Sequence, residues 1–363
     1  MPTKKSLKIA IVHDWLTGFA GGEQVILALH TMYPDAPIFT SLYSPAKVPQ
    51  FAKATVIPSY LQKIPGLIQK DKLAIPLMPA AFEAFDFKGF DVIISSGALS
   101  KGIITHPGQR HINYCHTPIR YIWNLGGDNR NKGKWDSWLR EREAHKMRIW
   151  DVVSSERVDE FVANSKTVQS RIKKIYRRDS TVIYPPIEVG RFELSTISDD
   201  YYLVVGRLVS YKRPDLIIDA CIKSGRKLKV VGIGPEEESL KLRAKNSPQI
   251  EFLGRVSDAE RNVLYANAKA FIFASEEDFG IVPVEAMACG KPVICYSVGG
   301  QTDSVIEGLS GVYFTEQTPD SIIEAIEKFE HLSFDPVKIH AHAQQFSTST
   351  FQDKMRALIE FQS

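Results

Sequence analysis

The sequence predicts an α/β protein made of two successive doubly wound units, and three observations predict it. Short apolar runs bounded by polar residues alternate with helix-like stretches along most of the chain. The 363 residues suffice for two domains of ordinary size. The polar residues with chemical potential fall just after the strand-like runs, where open parallel sheets hold their ligands.

The elements come in order. LKIAIV (residues 7–12) reads as a buried parallel strand, followed by a loop and a helix over 22–32. Further strands are expected at 91–95, 111–115, 161–163 and 181–184, after which Pro185 and Pro186 stop regular structure. The second half is more regular, with strands at 202–205, 228–231, 250–253, 270–273, 292–296 and 312–314. Helices at 214–223, 236–245, 258–267, 283–288 and 320–330 fall between them, which means a parallel sheet covered on both faces. The expected division is 1–190 and 191–348, joined near 185–198. A C-terminal segment (349–363) with an amphipathic helix over 351–361 would pack back on the first domain.

Composition narrows the classes. Hydrophobic content of 44% and charged content of 24% fit a soluble globular protein. No apolar run approaches the roughly 18 residues of a membrane span, and the start MPTKKSLKIAIV lacks a signal peptide's apolar stretch and cleavage site. Cys115, Cys221, Cys289 and Cys295 form no CxxC pair and lie in or beside apolar segments. Reduced thiols, no metal site and a cytoplasmic location are expected. A net charge of +3 gives no reason to expect a nucleic-acid partner. Lys166, Arg171, Lys173, Lys174, Arg177 and Arg178 crowd one segment, as a solvated helix face or as a patch for anionic lipid. Residues 60–87 mix Leu, Ile, Pro and Phe with lysines, which fits either a membrane-surface element or helices packed on their own sheet.

Four segments carry chemistry. In FIFASEEDFGIVPVEAMAC (271–289) a strand runs into an acidic loop with Glu277 and Gly280, and then into a helix that Pro283 suits in its first turn. Phe279, Gly280 and Ile281 would present backbone N–H groups to a phosphate there. Glu285, expected in that first turn, would either grip sugar hydroxyls or complement the helix dipole. In YYLVVGRLVSYKRPDLIIDA (201–220), Arg207 and Lys212 after a strand suit a diphosphate, Arg as a planar fork and Lys as a point charge. Gly21 and Gly22 allow close backbone approach at a helix start, or simply a tight turn. His116, after the strand at 111–115, could donate to a sugar hydroxyl, shift a proton or be structural.

Taken together these segments resemble glycosyltransferase family 4, a large family of retaining transferases with the GT-B fold of two Rossmann-like domains facing a central cleft. Glu277-Asp278-Phe279-Gly280 leading to Glu285 is similar to that family's E-x7-E motif, and residues 285–294 and 299–314 are similar to its next helix, strand and glycine-rich segment. Gly206-Arg207 with Lys212 resembles its diphosphate-binding pair, and Gly21-Gly22-Glu23 its N-domain glycine loop. CHTPIRYIW (115–123), VANS (162–165) and VIYPPIEVGRF (182–192) resemble bacterial mannosyltransferases of surface-polysaccharide assembly.

The resemblance implies roles. Glu277 would sit by the donor sugar, Glu285 on the ribose, Arg207 and Lys212 on the leaving diphosphate, Gly22 at the phosphates and His116 on the donor sugar. The base would lie near Arg255 and Val256. It implies a nucleotide-sugar donor, GDP-mannose above all, with a glycan or lipid-linked acceptor, no metal or other cofactor, and at most peripheral contact with an anionic membrane. The alternatives are a glycoside hydrolase using Glu277 and Glu285, a GT-B sugar-nucleotide epimerase, and a binding-only homologue.

Overall fold

The computed structural model describes residues 7–125 and 134–360, except the side chains of 134–140. The basic start of the chain and the last residues of the expected C-terminal segment, 361–363, lie outside the described residues. The chain divides into two compact units, Met1–Pro186 with Phe351–Ser363, and Ile187–Thr350.

The first unit holds a seven-stranded parallel sheet. Its strands are β1 (Ile9–His13), β2 (Ile38–Thr40), β3 (Val56–Pro58), β4 (Val92–Ser96), β5 (Arg110–Cys115), β6 (Glu160–Ala163) and β7 (Ser180–Val182), in the order β3-β2-β1-β4-β5-β6-β7. Its helices are α1 (Gly21–Met32), α2 (Met78–Glu83), α3 (Arg120–Trp123), α4 (Lys134–Ser155) and α5 (Lys166–Tyr176). β1, β4 and β5 are buried along nearly their whole length because both faces of the sheet are covered. Ile9, Ile11, Ile94 and Tyr114 pack under Val25, Ile26 and Leu29 of α1 and under Phe351, Met355 and Ile359 of the last helix. On the other face Ala10, Val12 and Ile93 meet Leu61, Ala74, Met78, Phe82 and Phe87. Residues 60–87 are therefore built on their own sheet, as 3₁₀ turns (Tyr60–Lys63, Asp71–Leu77) and the short α2. Each such apolar side chain contributes about 1.5–3 kcal/mol on burial.

The second unit has a six-stranded parallel sheet. Its strands are β8 (Tyr202–Val205), β9 (Leu228–Val231), β10 (Ile250–Gly254), β11 (Ala270–Phe273), β12 (Val293–Tyr296) and β13 (Gly311–Phe314), ordered β10-β9-β8-β11-β12-β13. Its helices are α6 (Pro214–Ser224), α7 (Glu237–Arg243), α8 (Asp258–Asn267), α9 (Ile281–Ala288), α10 (Pro319–Glu330) and α11 (Pro336–Ala343), followed by α12 (Thr348–Glu360), the helix that enters the first unit's core. Ile217, Ile218, Ile322 and Ile326 cover Leu228, Val230, Ile272 and Ile294. The fold class is the expected one. All four cysteines are buried, and none forms a disulfide among the described residues.

Two differences from the sequence reading matter for the site. α9 begins at Ile281, because Gly280 takes φ +87 as its N-cap. Glu285 is thus the fifth helical residue, in the second turn rather than the first, where a dipole interaction has faded. Each sheet also reverses its winding once, between β1 and β4 and between β8 and β11. Such a switch point opens a crevice beyond the carboxyl ends of the strands.

Candidate functional site

In the second unit the loops after β8 and β11 meet at the switch point. Gly206 ends β8 at φ +153, and its Cα hydrogen side faces Lys212, whose Nζ lies 3.6 Å from where a Cβ would be. Gly232 and Gly234 press on this loop from below, since a Cβ at either would sit 1.9 or 2.1 Å from the carbonyls of Gly206 and Leu208. Lys212 closes a single 3₁₀ turn, after which Arg213 takes a left-handed φ and Pro214 starts α6. Gly206, Arg207, Lys212, Phe273 and Ser275 line one pocket. Arg207 is exposed and has no partner among the described residues.

Glu277 follows β11 and comes within 3.4 Å of the Lys212 ammonium. The contact is an ion pair without hydrogen-bond alignment, and Glu277 Oε1 is buried with no hydrogen-bond partner among the described residues. Its backbone is clamped. The Gly300 N–H donates to the Glu277 carbonyl at 2.7 Å, and the fully buried Gln301 donates to the carbonyls of Ser275, Tyr296 and Val298. A Cβ on Gly300 would lie 1.9 Å from the Asp278 carbonyl. Gly299-Gly300-Gln301 therefore fixes the acidic loop, a role that a glycine-rich stretch did not reveal in sequence.

The other second-unit residues separate from this pair. Phe279 is buried against Phe346, with ring centroids 5.6 Å apart, so only its backbone can face a ligand. Gly280 and Ile281 form the uncapped start of α9. Glu285 accepts from the buried Tyr265 hydroxyl at 3.0 Å. Burial pushes its carboxyl up, against the pull of Arg261, Tyr265 and Arg191. Arg255 and Val256 follow β10, one strand removed from β8 at the sheet edge.

In the first unit the switch point is a hydrogen-bonded chain. Gly21 and Gly22 open α1, and a Cβ on Gly22 would touch His13 Cε1 at 3.5 Å and His116 Nε2 at 3.8 Å. His13 ends β1. Its Nδ1 lies 2.8 Å from the Ser96 carbonyl, which can only accept, so Nδ1 carries a proton. Its Nε2 faces Glu23 Oε1 at 3.5 Å. Burial alone would lower the His13 pKa, but the hydrogen bond and charge of Glu23 outweigh it and the pKa is raised. Glu23 is buried too, and His13 nonetheless holds its carboxyl below the usual range. His13 and Glu23 thus favour each other's charged form at the glycine loop, and Glu23 also accepts from the Ala20 N–H at 2.8 Å.

His116, directly after β5, lies 2.8 Å from Ser96 Oγ through Nε2. Burial and then the His13 charge bring its pKa down to about 4, so the ring is neutral. Asp14 ties the two loops by accepting from the N–H groups of Ala98, Leu99 and Ser100. His13, Asp14, Glu23 and Ser96 went unmarked in the sequence as site residues. The signals were the Gly21-Gly22-Glu23 segment for Glu23 and, for the others, a position at or just after a strand end, which many residues share.

Among the described residues no group of three or more His, Cys, Asp or Glu could hold a metal ion, and no helix is long and apolar enough to cross a membrane.

Known proteins share this architecture. The family model described as glycosyl transferases group 1 matches residues 191–346. An uncharacterized glycosyltransferase of Methanocaldococcus jannaschii is 31% identical over 173 residues, 46% of this chain and 48% of that one. The first curated relatives are covered over only a third to a half of their own length. Among solved structures, the sucrose-phosphate synthase of Thermosynechococcus elongatus superposes with a TM-score of 0.73 at 18% identity, over 98% of this chain and 99% of that one. Anabaena HepE, in complex with UDP and glucose, gives 0.69 at 19% identity over 98% and 99%. At such identities the likeness shows the fold, which is that of GT-B structures.

Proposed function

Because residues 191–346 match the glycosyl transferases group 1 family, we propose that the chain transfers a hexose from a nucleotide sugar to an acceptor hydroxyl. The observation that carries this reading is the meeting of Arg207, Lys212 and Glu277 at the β8–β11 switch point. A departing nucleoside diphosphate gains negative charge, and preorganised cations lower that barrier. Among the described residues Arg207 has its fork unspent, and the Lys212 ammonium has Glu277 as its ion-pair partner. Glu285, with Tyr265 on one side, suits a ribose hydroxyl pair. The uncapped start of α9, at Phe279, Gly280 and Ile281, suits a phosphate. Gly21 and Gly22 would give the phosphates close backbone approach in the first unit, with His116 on the sugar and Val256 near the base.

Transfer with retention results if the acceptor hydroxyl attacks the anomeric carbon on the face from which the diphosphate leaves and gives its proton to the leaving phosphate, a route that needs orientation and charge stabilisation but no protein nucleophile. No metal or other cofactor enters this scheme. The names of the matched relatives do not favour the hydrolase or epimerase alternatives. For the donor we propose GDP-mannose, on the sequence resemblance, and for the acceptor a glycan or lipid-linked glycan of polysaccharide assembly. The UDP held by HepE supports UDP-hexose as the second reading. The test is a transfer assay with GDP-mannose and UDP-glucose over lipid-linked and free glycans. Release of nucleoside diphosphate that needs an acceptor supports the reading, and release without one points to a hydrolase.

We also propose that the first unit rests on the cytoplasmic face of an anionic membrane. Tyr60, Ile64, Leu73 and Leu77 are 41–64% exposed and alternate with exposed Lys63, Lys70 and Lys72. Apolar side chains among cations fit an anionic interface. Co-sedimentation with phosphatidylglycerol vesicles at low salt, lost in Leu73→Asp/Leu77→Asp, is expected. Absence of binding to those vesicles would remove the proposal.

A further inference from the structure

Ser96 is completely buried, and its hydroxyl has one hydrogen-bond partner among the described residues, Nε2 of His116 at 2.8 Å. A buried hydroxyl proton must go to an acceptor or stand uncompensated. Here the acceptor in reach is Nε2. The neighbouring pair on the opposite face of β4 shows the same arrangement. Ser95 Oγ lies 2.7 Å from Nε2 of His111, while His111 Nδ1 faces the Arg157 carbonyl at 3.1 Å and must therefore carry the ring proton. Asn113 donates to Ser95 Oγ at 2.9 Å, which leaves that hydroxyl's own proton for Nε2. Two adjacent serines thus each meet an Nε2, but His111 spends its Nδ1 on the backbone whereas His116 Nδ1 has no partner among the described residues. His116 is also partly exposed, unlike His111.

We propose that Ser96 is a positioning residue that fixes His116 as the Nδ1–H tautomer, making its outer nitrogen a hydrogen-bond donor rather than a base. The ligand it fits is an oxygen that accepts, either a sugar hydroxyl or a phosphate oxygen of the nucleotide sugar. This assignment of the ligand rests on the transferase reading, whereas the tautomer does not. The charged and titratable groups around the ring agree with it. The His13 ring lies across Gly22 and faces Glu23. Asp14 is occupied by three backbone N–H groups. The Tyr114 hydroxyl, on the ring packed edge-on to His116, donates to the Ile183 carbonyl. Arg171, on α5, donates to Thr117 Oγ1 at 3.2 Å. None of these offers His116 a second proton acceptor. The Ser96 carbonyl anchors His13 through its Nδ1–H, so one residue sets both rings.

The test is ¹⁵N NMR of the full chain labelled at histidine, with the His116 signals identified by their loss in His116→Gln. At pH 7 the expected spectrum shows a protonated Nδ1 and a bare Nε2 for His116, matching His111. In Ser96→Ala the Nε2–H form should become the major one, and Ser96→Thr should restore the original pattern. A wild-type His116 ring protonated on Nε2, or on both nitrogens at pH 7, overturns the proposal even if no Ser96 variant folds. In the transfer assay Ser96→Ala should lose about tenfold in kcat/KM, with Ser96→Thr recovering most of it. If the tautomer holds but no nucleotide sugar is turned over, the transferase reading fails and the tautomer assignment stands.

Discussion

The two switch points hold their polar groups in opposite ways. In the first unit the chain Glu23–His13–Ser96–His116 has every inner atom paired, and Asp14 is saturated by three backbone N–H groups. In the second, Arg207 is exposed without a partner among the described residues, and Glu277 Oε1 is buried beside Lys212 without an aligned hydrogen bond. The first site is finished before any ligand arrives, and it offers one neutral ring. The second stores unsatisfied charge for an anion and hydroxyls to complete. Preorganisation of this second kind has its effect in the transition state, where charge develops.

The largest expected effect lies in the second unit. Arg207→Ala should lower kcat by about 2–4 kcal/mol of barrier while leaving the fold intact, measured by steady-state kinetics beside circular dichroism. Near-normal turnover would remove the contrast. Next come the glycines, whose surroundings differ as the sites do. Gly300→Ala drives a Cβ to 1.9 Å from the Asp278 carbonyl, and overpacking of that kind costs about 1–3 kcal/mol. Gly22→Ala meets only ordinary contacts at 3.5 Å and beyond, so its stability should stay within about 0.5 kcal/mol of the parent. Urea melts of the two variants check this, and equal losses would contradict it.

Acid should then separate the units. His111 and His116 have folded pKa values brought to about 4 by burial, against 6.5 when unfolded. The unfolded chain therefore binds their protons first, and stability present above pH 6.5 is lost as pH falls toward 4, by about 2 kcal/mol each at pH 5. His13, raised by Glu23, works the other way: its contribution is present below 6.5 and lost above its folded pKa, so it offsets part of the loss. In the second unit Glu330 is held at about 2 by Arg226, so its stabilisation begins to fade only below pH 4.5. Between pH 6.5 and 4.5 the first unit should soften before the second, which hydrogen exchange resolved by segment would show. On ligand binding the smallest effect expected is Glu285→Gln, at about 1 kcal/mol of nucleotide affinity by calorimetry.

The same contrast explains what could be read from sequence. The second unit's strands are four or five residues long and regularly spaced, and Gly206, Arg207, Lys212 and Glu277 lie within short, recognisable segments. β2 and β3 have three residues each and give no periodicity to detect, and the charged α4 shows only a modest apolar stripe. Ser96 and His13 are 83 residues apart and touch only because β1 pairs with β4. Gln301 acts through carbonyls, which carry no residue identity. Glu285 shifted by a turn because a glycine with positive φ can cap a helix before the proline that usually marks its start.

The central claim is that the β8–β11 site grips a nucleoside diphosphate. It is tested most directly by thermal shift of the wild type and Arg207→Ala against GDP, UDP and their hexose conjugates. A ligand at 100 times its Kd adds about 2.7 kcal/mol, so one nucleotide should raise the wild-type Tm clearly, with the rise reduced in Arg207→Ala. No shift with any nucleotide, or equal shifts in both proteins, would contradict it.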